Sequence, residues 1–339
     1  MDGVIVIDKP EGLTSHDVVA AARRVLGEKR IGHTGTLDPL ATGVLPLACG
    51  RATRLVRFLT ASDKEYEATV VFGVTTDSLD VTGTETSRSG AVPSRQALAD
   101  ALAALTGDHM QMPPVYSAKK IGGRRAYDLA RRAEPVALTA APVRMPRVEL
   151  LDFGNDRCRV SLTCSAGFYV RSFVRDLGER CGTGACLEAL RRTRSGEFTL
   201  DEAYPLGALD PPARRGDTAR YGEASPGRTA TAVRPSSTGS SGRNATRLSA
   251  KAGGGVEVAT LLIPLERLLT AFPAVTVTTE GLVRVSHGQQ VRSTDLVGST
   301  PAGQAEAEWV RVLDANGTLV AVGSARGAPG VLHPEVVLI

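Results

Sequence analysis

Alternation of apolar and polar positions divides the chain into short strands and helices. "GVIVIDKP", from Gly3, is a continuous apolar run closing at Lys9-Pro10, the mark of a strand covered on both faces. "SHDVVAAARRVLG" follows with helical spacing, a Thr14 or Ser15 cap and a Gly27 stop. "EYEATVVFGV" alternates and is β-branched, hence a strand. In "SRQALADALAALTG", Leu98, Leu102 and Leu105 share one helix face between a Ser94 cap and Gly107. "RCRVSLTCSAG" predicts another strand. "YVRSFVRDLGERCG" sets Val170, Phe173, Val174 and Leu177 at helical spacing, with Arg171 and Arg175 four apart on a flank.

After residue 257 a short helix near "PLERLL" gives way to strand-like runs: "AVTVTTEG", "VRVSHGQQV" and a hairpin "EWVRVLDANGTLVAVGSAR" turning at Asp314-Ala315-Asn316-Gly317. The order predicts an α+β body followed by a small β-barrel. Between them, residues 211–256 hold eight basic and two acidic residues amid Gly, Ser, Thr and Pro. With so little apolar surface to bury, this stretch is expected to be a flexible linker or insertion. The expected units are 1–210, 211–256 and 257–339.

Charge adds less than it first offers. The formal net charge of +4 is exceeded by the +6 of residues 211–256, leaving the rest slightly acidic. Only local clusters therefore argue for a polyanionic partner. One is "KKIGGRRAYDLARR", where Lys119, Lys120, Arg124, Arg125, Arg131 and Arg132 face a single acid, Asp128, around a Gly122-Gly123 bend. It reads as a cationic flap for phosphates. "LRRTRSG" adds Arg191, Arg192 and Arg194 as a second phosphate patch. The five cysteines form no CxxC pair, so reduced, packed thiols are expected and no metal site. No apolar run approaches the roughly 18 residues of a membrane span, and the first residues lack a secretory pattern. A soluble cytoplasmic protein is expected.

The chemistry concentrates in "GHTGTLDPLATGVLPL", Gly32 to Leu47. A single carboxylate, Asp38, stands in an apolar, glycine-punctuated loop with only His33 as a charge-capable neighbour. Asp before Pro is by itself a turn former. Gly35 and Gly43 permit unusual backbone and close approach of a ligand.

This stretch closely resembles the catalytic motif of the TruB family of pseudouridine synthases. "VIVIDKPEGLTSHDVV", "SDKEYEATVVFGVTTDSLDVTG", "QMPPVYSAKKIGGRRAYDLAR" and "CSAGFYVRSFVRDLGERCGTGACLEALRRTRSGEF" resemble further motifs of that family, in its order, across most of residues 3–205. The resemblance implies a central mixed, mainly antiparallel sheet flanked by helices. It implies an RNA-binding insertion at about 108–147 and a C-terminal domain of the PUA type. The implied activity is isomerisation of uridine to pseudouridine in the T-loop of tRNA, at position 55.

That reaction breaks the N1–C1′ bond, turns the base and rejoins it through C5. It needs no cofactor and no metal. It needs an ionised carboxylate at the ribose, acting as nucleophile at C1′ or as base at C2′. The resemblance gives that task to Asp38, with Arg171 holding it charged and oriented and Asp80 buttressing the arginine. It puts Tyr66 against the target base, Tyr169 and Leu190 in the pocket wall, and Lys9 under the site floor. The base must leave its stack, and His33 is implied to fill the gap. The tRNA T-arm is the expected partner of a monomer that needs no second protein. Two rivals are a non-catalytic RNA-binding or tRNA-folding protein and a guide-dependent synthase. The intact Asp38, Tyr66 and Arg171 set and the long 110–150 insertion weigh against them. The 211–256 insertion is the one departure from the family pattern.

Overall fold

Gly3–Lys9 sends Val4 and Val6 into one core and Ile5 and Ile7 into another. Both faces of its sheet are covered, which is why its sequence runs apolar without alternation. The computed structural model describes residues 1–117, 120–121, 124–125, 138–209, 258–298, 308–324 and 331–339. The 211–256 segment expected as a linker lies outside them.

The main sheet has ten strands among the described residues. Its central path runs Arg147–Gly154, Arg157–Cys164, Lys64–Phe72, Ala185–Ser195, Thr42–Cys49, Gly3–Lys9 and Tyr204–Pro205. Neighbours are antiparallel except at two places. Ala185–Ser195 meets Thr42–Cys49 in parallel through Arg191↔Thr42 and Arg192↔Gly43. Gly3–Lys9 meets Tyr204–Pro205 in parallel. This is the mixed, mainly antiparallel sheet expected.

Helices Ser15–Leu26, Arg95–Leu105 and Val170–Arg180 cover one face through Val18, Leu98, Leu102, Phe173, Val174 and Leu177. Thr14 caps the first of them. Asp17 N donates to Thr14 Oγ1 at 3.1 Å and Thr14 N donates back to Asp17 Oδ2 at 2.8 Å. Such a reciprocal cap contributes about 1 kcal/mol. Gly27 ends the helix in the left-handed region at φ 63°.

The opposite face carries Phe58, Leu59 and Phe198, joined by Leu265, Leu268, Leu269, Leu319, Val322 and Leu338 of the C-terminal part. Trp309 stands edge-on to Phe58 at 4.9 Å between centroids. Strand Ile263–Pro264 adds to Gly3–Lys9 itself.

Among the described residues the C-terminal part is a five-stranded curled sheet, a half-barrel around Val275, Val310, Val312 and Val320. Its hairpin turns at Asp314, where Gly317 N donates to the Asp314 carbonyl at 3.0 Å. One expectation fails here. "VRVSHGQQV" is not a strand, because Thr279–Ser286 is a helix. Thr278 caps it by accepting from Gly281 N at 3.1 Å, and Val285 and Leu282 face the small core. Cap and burial override the β-propensity of the valines. Among the described residues no helix is long and apolar enough to cross a membrane.

Candidate active site

The loop from Thr34 to Ala41 leaves strand Ile31–His33 and enters Thr42–Cys49. Gly43 is where it joins the sheet. Its φ is +100°, and a Cβ there would lie 2.2 Å from the Arg192 carbonyl oxygen. Only glycine admits that approach, which starts the parallel pairing and fixes where the loop emerges.

Two cations hold the loop from opposite ends. Lys9, fully buried at the end of the first strand, donates from Nζ to the carbonyls of Pro10 at 2.8 Å, Leu13 at 2.6 Å and Pro39 at 3.4 Å. Burial lowers its ammonium to about 8, against an opposing pull from Asp38. Arg192, 1% exposed, donates to the carbonyls of Val44 at 2.7 Å, Gly35 at 3.1 Å and Thr36 at 3.4 Å.

Asp38 is thereby presented to the first turn of helix Val170–Arg180. Arg171 Nε donates to Asp38 Oδ2 at 2.8 Å and Nη2 donates to Oδ1 at 3.1 Å. The guanidinium is itself seated. It donates to the carbonyls of Ser78 at 3.0 Å and Tyr116 at 2.8 Å. Asp80 Oδ2 stands 3.9 Å from its Nε. Asp80 also orders its own turn, with Oδ1 accepting from Ser78 Oγ at 2.9 Å, Thr82 N at 3.0 Å and Thr82 Oγ1 at 2.5 Å. Between them Leu79 takes a left-handed φ of 68°, a strained conformation for leucine that the turn imposes. Arg171 is 6% exposed, whereas the Asp38 side chain keeps 36% of its surface open.

That open side faces a cleft of about 800 Å³, lined among others by His33, Asp38, Tyr66, Tyr169, Arg171 and Leu190. Six expected residues from four separate stretches of the chain thus meet at one cavity. Tyr66 is buried near the start of its strand, and burial raises its phenol above the usual value while Arg192 pulls the other way. Tyr169 precedes the helix. Its N–H donates to Gln111 Oε1 at 2.9 Å and its carbonyl accepts from Gln111 Nε2 at 3.1 Å, and burial raises its phenol too. Leu190 is buried in the wall. His33 closes its strand with its ring edge-on to His16 at 5.4 Å, and Nδ1 accepts from Gly35 N at 3.4 Å.

The expected flap is described in part. Lys120–Ile121 pairs with Arg124–Arg125 as a two-stranded ladder. Lys119 and the side chains of Lys120, Arg124 and Arg125 lie outside the described residues.

The "LRRTRSG" patch is corrected. Arg191 is bound to both oxygens of Asp8 at 3.1 and 2.8 Å. Arg194 holds Glu65 at 2.8 Å, and Arg192 is buried in the loop's carbonyls. Their partners lie far away in the chain, so local charge counting overstated the patch. Of the charged lining residues, Lys64 escaped the sequence reading and Arg192 was read as a phosphate contact, not as part of the cleft wall. Strand periodicity held the signal: each lies two residues from an expected wall residue, Tyr66 and Leu190.

Residues 23–170 match the family model described as "TruB family pseudouridylate synthase (N terminal domain)", and residues 171–212 match "tRNA pseudouridylate synthase B C-terminal domain". The "tRNA pseudouridine synthase B" of Solibacter usitatus (strain Ellin6076) is 38% identical over 339 residues, covering 100% of both chains. The protein of that name from Mycobacterium sp. (strain KMS) is 48% identical over 213 residues, 61% of this chain and 71% of that one. Among solved structures, a chain of the "Crystal Structure of a Cbf5-Nop10-Gar1 Complex" matches with TM-score 0.68 at 24% identity, covering 100% of this chain and 85% of that chain. The last likeness is one of fold alone. A motif-bearing loop, a shared cleft and full-length identity to a named relative agree, and the chain belongs to the TruB family of pseudouridine synthases.

Proposed function

We propose that this protein isomerises uridine to pseudouridine in the T-loop of tRNA, with Asp38 working at the ribose of a flipped-out nucleotide. The observation that carries the reading is the two-point grip of Arg171 on Asp38 at the wall of a cleft floored by Tyr66. A carboxylate so held cannot swing, and its open side is the only direction left for a reacting carbon.

The roles divide as follows. Asp38 attacks C1′ or takes the C2′ proton. Arg171 orients it, and Asp80 steadies Arg171. Tyr66 stacks on the base, worth about 1–3 kcal/mol. Tyr169 and Leu190 bound the base pocket, and His33 occupies the space the base vacates. Lys9 holds the loop by its Pro39 carbonyl. Lys119, Lys120, Arg124 and Arg125 grip phosphates. The wall excludes water, which would otherwise capture an opened sugar. Residues 1–210 form the catalytic unit with its insertion at about 108–147, 211–256 the linker, and 257–339 the PUA-like unit. The protein works as a cytoplasmic monomer on the T-arm, without a protein partner or cofactor.

The test is purified protein with unmodified tRNA transcript, mapped by carbodiimide-induced reverse-transcription stops. A single new stop in the T-loop, absent with Asp38→Ala, is the expected result. RNA binding without any stop makes the protein a binder and overturns the reading. A stop that appears only when a guide RNA and partner proteins are supplied also overturns it.

A further inference from the structure

Two buried cations of the cleft have no part in the roles above beyond holding backbone. Lys64 is 6% exposed and Arg192 1%, and both line the cavity that holds Asp38 and Tyr66. Lys64 lies two residues before Tyr66 on the same strand and so on the same face. Arg192 is the direct cross-strand partner of Tyr66. The two meet under the catalytic loop: a Cβ on Gly35 would sit 3.5 Å from Arg192 Nη1 and 4.0 Å from Lys64 Cε. Their hydrogen bonds go to neutral groups, the carbonyls of Thr60 and Ser62 for Lys64, and for Arg192 the carbonyls of Gly35, Thr36 and Val44 and the Tyr66 hydroxyl.

Burying two like charges side by side against neutral dipoles costs stability. The cost is visible in Lys64, lowered to about 8 by burial first and then by Arg192, yet still protonated at neutral pH. Packed apolar side chains would hold the same strands more cheaply. A concentrated positive potential beneath the base pocket therefore has a use in the chemistry.

The reaction supplies one. If Asp38 attacks C1′, the new O–C1′ bond forms as C1′–N1 breaks. If Asp38 takes the C2′ proton, a C1′=C2′ bond forms as C1′–N1 breaks. In both routes N1 keeps the electron pair, and the detached base is a uracil anion with its charge spread over N1, O2 and O4. It remains an anion until it turns and C5 bonds to C1′, as the Asp38 O–C1′ bond breaks in the first route or as Asp38 returns its proton to C2′ in the second. Loss of the C5 proton and gain of one at N1 complete an isomerisation.

We propose that Lys64 and Arg192 form a fixed cationic floor that stabilises the departing uracil anion. This rests on the reading of the chain as a synthase that works through Asp38. The charges act through space from under Tyr66. They need no rearrangement as the bond breaks, and their own burial leaves them weakly screened.

The experiment compares single-turnover rates on tRNA carrying uridine or 5-fluorouridine at the target position. Fluorine at C5 withdraws electrons and makes the base a better leaving group, so the fluorinated substrate depends less on the floor. Conversion is read as loss of the starting nucleoside after digestion. Lys64→Gln keeps a donor for the two carbonyls and removes the charge, Lys64→Met removes both, and Lys64→Arg keeps the charge. We expect Lys64→Gln and Lys64→Met to slow uridine by about 10²-fold but 5-fluorouridine by less than about tenfold, with Lys64→Arg within about tenfold of wild type on uridine. Equal slowing of both substrates, or no slowing of uridine, overturns the inference while wild-type turnover upholds the synthase reading. Wild-type protein that makes no pseudouridine overturns both. Should Lys64→Met not fold, Lys64→Gln alone decides.

Discussion

Arg171 meets Asp38 edge to edge, Nε to Oδ2 at 2.8 Å and Nη2 to Oδ1 at 3.1 Å, across a sequence separation of 133 residues. The two sides of the pair differ in environment. The guanidinium is packed under a turn and a carbonyl, whereas the carboxylate opens onto the cleft. Arg171 thus belongs to the scaffold and Asp38 to the substrate's side. Substitutions at the two positions should separate accordingly.

Asp38→Asn removes the charge at nearly constant shape. Arg171 keeps the Ser78 and Tyr116 carbonyls and the nearby Asp80, so stability should change by no more than about 1 kcal/mol. Turnover should fall by at least about 10³-fold while tRNA affinity holds. Arg171→Lys keeps a charge but loses the two-point grip, and should cost about 10²-fold in kcat. Thermal melts and single-turnover assays on both variants check the separation. An active Asp38→Asn protein would remove the aspartate from the chemistry.

Asp80 acts at one remove. Its Oδ1 gathers Ser78 Oγ, Thr82 N and Thr82 Oγ1, and the turn so formed aims the Ser78 carbonyl at Arg171. Asp80→Ala frees Leu79 from its left-handed conformation and lets that carbonyl drift. We expect kcat lower by about tenfold or more with KM nearly unchanged, and a stability loss of about 1–3 kcal/mol. Asp80→Asn, which keeps an acceptor at Oδ1, should fall between. A change confined to KM would assign Asp80 to RNA binding instead.

Much of this arrangement was legible along the chain because local rules govern it. The apolar run at Gly3–Lys9, the Thr14 and Ser94 caps and the Asp314 hairpin are short-range features, and the structure has each of them. The Asp38 loop was legible through its motif. What local reading missed depends on distant partners. Arg191 and Arg194 looked like a phosphate patch until Asp8 and Glu65 claimed them from other strands. Arg192 looked exposed because arginine usually is, and it is buried because a neighbouring loop supplies carbonyls. The valines of 279–286 favoured a strand until a cap and a small core selected a helix.

Gly43 tests how far the loop's entry point matters. Gly43→Ala sets a Cβ 2.2 Å from the Arg192 carbonyl oxygen and 2.9 Å from its nitrogen, at a φ of +100°. Backbone must move, and the Arg192↔Gly43 pairing is what moves. The expected cost is roughly 2–4 kcal/mol in urea unfolding, together with loss of activity at temperatures where the protein is still folded. Gly32→Ala meets nothing within 4 Å and should stay within about 0.5 kcal/mol of wild type. Equal effects at the two glycines would dissolve the link between pairing and site.

Buried titratable groups set the alkaline stability of the fold, and their signs oppose one another. Lys9 and Lys64 are lowered from 10.5 to about 8 by burial. Below pH 8 both folded and unfolded chains carry these protons, and the burial cost is present in full. Between pH 8 and 10.5 the unfolded chain holds protons the native chain has released, so stability rises with pH. The thiols of Cys49, Cys158 and Cys164 are raised by burial from 9.0 to about 12. Above pH 9 the unfolded chain releases these protons while the native chain keeps them, so stability falls with pH. Three thiols outweigh two ammonium groups once both act, and the Tyr66 phenol, also raised, adds to the fall near its ordinary value of 10.0. Urea unfolding under reducing conditions should therefore show stability climbing from pH 8 to 9 and declining beyond it. Lys9→Met removes one of the two rising contributions, so its curve should climb less steeply over the first interval and fall more steeply over the second. A stability profile flat from pH 8 to 10 in the wild type would mean that water reaches these side chains.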